Sequence, residues 1–258
     1  MGEMTAIAMQ KGGVGKTTTA MNMSVGFALG GYRTLLVDLD PQANASNGLG
    51  YETSSQEAGV YEWIFETASE ADSIHPTSTT GLDLIPSSPD LNGARAELPR
   101  QNSEYNELDN AFKNVRNKYD WILIDCPPSL GPLTLNALRT CDSILIPLQC
   151  EYYALEGLSQ LWKTQKRIQN HWNHDLRCLG ILMTMYDYRT NLSKEVEEEV
   201  RSYFEDRVLE TVIPRNVRIS ESPGFGESVI SNDPMSRGSK AYLRATEEVI
   251  RREQQRTG

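Results

Sequence analysis

The chain has 258 residues, 39% of them hydrophobic, and a net charge of −10; its mean hydropathy is −0.47. That length holds one sizeable α/β domain, read here as residues 1–258, and would cramp two independent ones. No apolar segment approaches the ~20 residues that span a bilayer, and no basic region followed by an apolar core opens the N-terminus, so neither a membrane span nor a secretory leader is expected.

An apolar run at 5–9 predicts the first strand, and a helical pattern at 16–30 follows it. Between them lies Gln10-Lys11-Gly12-Gly13-Val14-Gly15-Lys16-Thr17-Thr18-Thr19, with three glycines, two lysines and three threonines in ten residues. A glycine-rich loop at a strand-to-helix junction turns backbone N–H groups onto phosphate oxygens, and the helix N-terminus adds its positive end. Lys16 would reach the terminal phosphates of a nucleotide, and the Thr17 hydroxyl would sit on Mg²⁺. The general pattern G-x-x-x-x-G-K-[ST] wants a glycine at position 10. This chain has Gln10 there, and a second lysine, Lys11, at the head of the loop.

The next strand, 34–39, runs into Asp38-Leu39-Asp40-Pro41. Strand alternation sends Asp38 and Asp40 to opposite faces if the strand continues that far, leaving one free to face the γ-phosphate and orient a water. Otherwise both are solvated turn residues. Residues 67–81 are polar and Ser/Thr-rich, which predicts a surface loop before a strand at 82–86 and a helix at 104–118. The strand 121–125 finishes in Asp125-Cys126-Pro127-Pro128. A carboxylate there either holds Mg²⁺ beside Thr17 or caps the next segment. Further helices are predicted at 131–140, 154–170, 191–205 and 238–254, and further strands at 143–148 and 178–185. Continuous apolar strands alternating with helices indicate an α/β fold: a single doubly wound, mostly parallel sheet with helices on both faces, of the P-loop NTPase type. Ligands gather at the carboxyl ends of such strands, where all three motifs sit.

The four cysteines, Cys126, Cys141, Cys150 and Cys178, show no C-x-x-C spacing. That argues against a disulfide framework or zinc site and for reduced, mostly buried thiols. Cys126 has no basic neighbour in sequence and reads as structural. Charge is uneven: residues 1–159 hold 9 basic and 20 acidic side chains, whereas residues 160–258 hold 16 and 15. Any polyanionic partner should meet the C-terminal half.

Several blocks together resemble the ParA/Soj-type partition ATPases, the P-loop group with a deviant Walker A motif that also contains MinD. They are Lys11–Thr19, Val37–Asn44, Ile124–Leu130, Ile146–Gly157, Arg189–Asn191 and Val212–Glu221. Ala43 stands where family members often have glycine. The resemblance implies an ATPase that is slow, Mg²⁺-dependent and stimulated by its partner. ATP would be bound by Lys11, Gly12, Gly13, Val14, Gly15, Lys16, Thr17 and Thr18, with Pro214 and Asn216 in the adenine-contacting segment. Lys11, Lys16 and Asp40 would be catalytic: Lys16 on the β/γ-phosphates, Lys11 reaching across a homodimer to the partner's ATP, and Asp40 positioning water. Thr17, Asp38 and Asp125 would lie near Mg²⁺. Arg189 and Arg218 match positions that contact DNA non-specifically, and Lys240 and Arg244 are plausible additions.

The resemblance further implies a cytoplasmic, nucleoid-associated switch that partitions a chromosome, plasmid or other cargo with a ParB-like, centromere-binding partner. A MinD-like role at the membrane is the alternative, but the tail from Ala245 has only Ala245, Val249 and Ile250 as apolar residues, so no stable membrane anchor is expected. An iron–sulfur carrier of the same group would need paired cysteines, and these are not evident. No helix-turn-helix extension precedes the loop, which argues against operator binding.

Overall fold

The computed structural model describes residues 2–52, 58–65, 67–88, 90–93 and 107–257. Its strands are β1 (Glu3–Ile7), β2 (Thr34–Asp38), β3 (His75–Pro76), β4 (Leu82–Ile85), β5 (Trp121–Asp125), β6 (Ser143–Gln149), β7 (Arg177–Tyr186) and β8 (Val208–Pro214). They form one eight-stranded sheet in the order β3-β4-β2-β5-β1-β6-β7-β8. Every pairing is parallel except β3 with β4. The central strands β1, β2 and β5 are buried almost throughout, which is why they read as unbroken apolar runs.

The helices are α1 (Lys16–Leu29), α2 (Asn44–Gly48), α3 (Val60–Ile64), α4 (Glu70–Ser73), α5 (Glu107–Phe112), α6 (Pro132–Thr140), α7 (Ala154–His171), α8 (Asn191–Phe204), α9 (Val217–Glu221), α10 (Val229–Asn232) and α11 (Arg237–Thr257). Two apolar cores, one on each face of the sheet, seat them. Leu158, Leu161, Val196 and Val200 from α7 and α8 enter one core. Met23, Phe27, Tyr242 and Val249 from α1 and α11 enter the other. Helices α1 and α11 approach so closely that a Cβ on Gly26 would meet Thr246 Oγ1 at 2.5 Å.

The sequence expectations hold for the sheet and the long helices, with four corrections. β1 ends at Ile7 rather than residue 9, because the chain leaves the sheet for the glycine-rich loop and only the Ala8 N–H still reaches the Leu145 carbonyl. The 67–81 segment contains α4, where the Ser69 hydroxyl and the Asp72 carboxylate cap each other's backbone N–H groups, and the strand β3. Of the predicted helix 104–118, residues 107–112 are helical and turns follow; residues 104–106 lie outside the described residues.

The strand β8 was not expected at all. Glu210 and Thr211 interrupt its apolar run, and register shifts against β7 leave their N–H groups without a ladder. The buried Glu248 carboxylate on α11 takes both, at 2.8 and 2.9 Å. A distant helix thus completes this edge strand.

Candidate functional site

The loop between β1 and α1 owes its shape to glycine. Gly13 and Gly15 have φ of +73° and +88°, a region that costs other residues strain. Gly15 caps α1 without any side-chain hydrogen bond, and no acidic residue stands in the first turn. The helix therefore presents free N–H groups and no competing anion. β7 pins the loop from the other side, where the Thr184 hydroxyl donates to the Val14 carbonyl at 2.8 Å.

Lys16 is 6% exposed, and its ammonium donates to the Lys11 carbonyl at 3.0 Å. Burial lowers its pKa, while Asp125, Cys126 and Asp40 act in the other direction. Lys11 is half-buried and forms a salt bridge with Glu151, just beyond β6; the Gln149 amide holds the other Glu151 oxygen.

Three acids meet here with different surroundings. Asp38 closes β2 and is fully buried. Its Oδ1 accepts from the Asp40 N–H at 3.2 Å, and its Oδ2 accepts from the Ser46 N–H and hydroxyl at 2.8 and 2.7 Å. Burial pushes its pKa up to about 6 against those hydrogen bonds. Because Asp38 bonds the backbone two residues on, the strand stops there, and the alternation argument for Asp40 does not apply. Asp40 lies beyond the strand, 7% exposed, with Oδ1 accepting from the Gln42 N–H at 3.1 Å.

Asp125 closes β5, fully buried, and among the described residues neither of its oxygens has a hydrogen-bond partner. Burial and the neighbouring Asp38 raise its pKa well above the ordinary carboxylate range, with Thr17 and Lys16 acting the other way. An orphaned buried carboxylate beside a threonine hydroxyl fits a hard divalent cation. Asp38 fits less well, since both its oxygens are engaged. Among the described residues no three His, Cys, Asp or Glu side chains form a metal cage by themselves, so a cation here would share Asp125 and Thr17 with a nucleotide's phosphates.

Next to the loop opens a cleft of about 280 Å³ lined by Gly15, Thr18, Thr184, Met185, Pro214, Asn216 and Tyr242, among others. The Asn216 carbonyl oxygen caps α9 by accepting from the Arg218 N–H at 2.8 Å. Its side-chain amide nitrogen has no hydrogen-bond partner among the described residues.

A second, wider groove of about 750 Å³ adjoins the cleft, and Pro214 and Arg215 line both. Its cations are Arg189, Arg215, Arg237, Lys240 and Arg244, all exposed. Arg189 is held by Asp187 through two hydrogen bonds of 2.9 and 2.8 Å. The other four make no salt bridge among the described residues. The groove thus gathers Arg189 with Lys240 and Arg244, but Arg218 is not among its lining residues; it pairs with Glu221 and Asp233 instead. Arg215 and Arg237 were missed in the sequence. The helical spacing 237, 240, 244 was the available signal for Arg237; Arg215 needed β8.

Among the described residues, Cys126, Cys141 and Cys150 are buried and Cys178 half-buried, all as free thiols. Burial raises the Cys126 pKa strongly, which fits a structural thiol.

Residues 2–178 match the family described as "AAA domain". The chain is 52% identical to the Bacillus subtilis sporulation initiation inhibitor protein Soj over 249 residues, covering 96% of this chain and 98% of that one. It is 48% identical to the Myxococcus xanthus chromosome partitioning protein ParA, covering 98% and 89%. Among solved structures, cobyrinic acid a,c-diamide synthase from Mycobacterium smegmatis with bound ADP and magnesium superposes with a TM-score of 0.86 at 34% identity, covering 98% and 96%. The Pyrococcus furiosus cell division ATPase MinD gives 0.81 at 26%, covering 97% and 99%. Carrying the deviant phosphate loop at the head of this sheet, and matching such relatives over nearly its whole length, the chain belongs to the Soj/ParA family of P-loop ATPases.

Proposed function

We propose that the protein is an ATP- and Mg²⁺-dependent dimerisation switch that binds duplex DNA non-specifically and serves partitioning together with a ParB-like partner. The observation that carries this reading is the shared wall: Pro214 and Arg215 line both the nucleotide cleft and the cationic groove. One domain holds both functions, so nucleotide state and DNA affinity can be coupled over a few residues. The solved relative with ADP and magnesium supports the ligands.

In this reading the loop N–H groups and Lys16 grip the β- and γ-phosphates, replacing the contact of Lys16 with the Lys11 carbonyl. Thr17 and Asp125 hold Mg²⁺, which when bound neutralises charge on the phosphates. Asp40 accepts a hydrogen bond from water and orients it, while Asn216 and Pro214 face the adenine. Lys11 leaves Glu151 and reaches the nucleotide of a second subunit, making the dimer dependent on the γ-phosphate. The groove then tracks DNA phosphates without reading bases, which would hold the protein on the nucleoid.

A MinD-like membrane role is less well supported. Ala245 and Val249 are fully buried and Ile250 packs against the same core, so α11 offers them to the sheet and not to a lipid surface. No helix among the described residues is long and apolar enough to cross a membrane.

The deciding experiment is binding to random-sequence duplex DNA with ATP, with ADP and without nucleotide, across a salt series. Binding that needs ATP, weakens steeply with salt and is lost in Arg189→Glu is the expected outcome. ATP dimers that ignore DNA but sediment with anionic vesicles would replace this reading with the membrane one.

A further inference from the structure

We infer that Ser87, from the segment after β4, is a positioning residue for the hydrolytic step: it locks the Asp40 peptide through a closed ring of buried hydrogen bonds. The inference rests on the reading of Asp40 as the residue that orients water.

The ring can be followed bond by bond. The Asp40 N–H donates to Asp38 Oδ1 at 3.2 Å. Asp38 Oδ2 accepts from the Ser46 hydroxyl at 2.7 Å. The Ser46 oxygen in turn accepts from the Ser87 N–H at 3.0 Å. The Ser87 hydroxyl then donates to the Asp40 carbonyl at 2.6 Å and closes the circuit. Each hydroxyl spends its one proton inside the ring, so the sense of donation is fixed. All four residues are buried, with Asp38 and Ser46 at 0%, Ser87 at 1% and Asp40 at 7% exposure. In that dry setting an unmade bond is costly.

The geometry acts on Asp40 in particular. Its N–H is bound by Asp38, and its carbonyl accepts both from the Ser87 hydroxyl and from the Ala43 N–H at 2.9 Å. Ser87 is the donor that comes from outside the Asp38–Ser46 segment, so it fixes where that turn sits relative to β4. On the side chain, Gln42 takes only Oδ1 among the described residues. That bond also fixes the carboxylate plane, and the other oxygen has no partner among the described residues. Ser87, two residues beyond β4, ties the end of that strand to the turn after β2 through its N–H and its hydroxyl. Small displacements of a group that orients a nucleophile cost rate without costing ground-state binding.

The test compares single-turnover ATP hydrolysis, affinity for a non-hydrolysable ATP analogue, and melting temperature. The variants are Ser87→Ala, Ser87→Cys, Ser87→Thr, Asp40→Ala and Ser87→Ala in the Asp40→Ala background. Ser87→Ala and the near-isosteric Ser87→Cys should slow hydrolysis by about ten- to a hundredfold, with analogue affinity within about twofold of the parent. Ser87→Thr, which keeps the hydroxyl, should recover most of the rate, and Ser87→Ala should add nothing once Asp40 is gone. Wild-type hydrolysis in both Ser87→Ala and Ser87→Cys beside an inactive Asp40→Ala would overturn the inference and leave the Asp40 reading standing. So would a full further loss in the double variant. A wild-type rate in Asp40→Ala would remove the Asp40 reading and this inference with it.

Discussion

The phosphate-loop site and the neighbouring cationic groove obey different electrostatics. At the phosphate loop beside the cleft, charges are few and dry: Lys16 is 6% exposed and Asp125 0%. Water cannot screen them, so each charge acts on its neighbours at nearly full strength and each has one job. In the groove five cations stand in solvent, with Asp187 and Glu210 among them. Their fields are screened within about 10 Å at ordinary salt, and their effects add rather than depend on one another. Acids behave accordingly. Burial raises the pKa of Asp38 and Asp125, whereas hydrogen bonds from Arg189 lower that of Asp187.

The sharpest break in this contrast would come from single charges. Lys16→Ala should reduce ATP hydrolysis, read as phosphate release, by at least on the order of a hundredfold. A loss of only a few fold would mean that the cleft is wetter than its burial indicates.

A second outcome concerns pH. The folded pKa of Asp38, about 6, lies above its ordinary value of 3.8, so the folded state binds that proton more tightly. The resulting stability is fully present below pH 3.8 and is lost as pH rises through about 6. Asp125 acts with the same sign. Chemical denaturation of nucleotide-free protein at stepped pH should show this loss, and Asp125→Asn should lessen it. Asp187 works in the opposite sense, its contribution being lost as pH falls, and it is weak because its partner Arg189 stands in solvent.

The smallest effect belongs to the groove. Replacing Lys240 and Arg244 together by alanine should weaken DNA binding evenly across sequences and lower the slope of log affinity against log salt by about 2. An all-or-none loss would show that these cations cooperate as cleft residues do.

Much of this was written in the chain. The glycine-rich loop, the acids at the ends of β2 and β5 and the apolar strands carry local signals, because a phosphate cradle and a doubly buried strand each demand particular residues in consecutive positions. β8 carried no such signal: its polar centre is satisfied by Glu248, 38 residues beyond Glu210. The different states of the three acids were equally hidden. Only the fold buries Asp125 beside Thr17, engages Asp38 with Ser46, and brings Ser87 from the segment after β4 to the Asp40 carbonyl. Sequence thus determined the class of fold and the chemistry available at the sheet's carboxyl edge. The tertiary structure decided which carboxylate is free, which lysine is paired and which arginines share a groove. Burial and hydrogen bonding across distant segments set those properties, and neither is a property of neighbours in the chain.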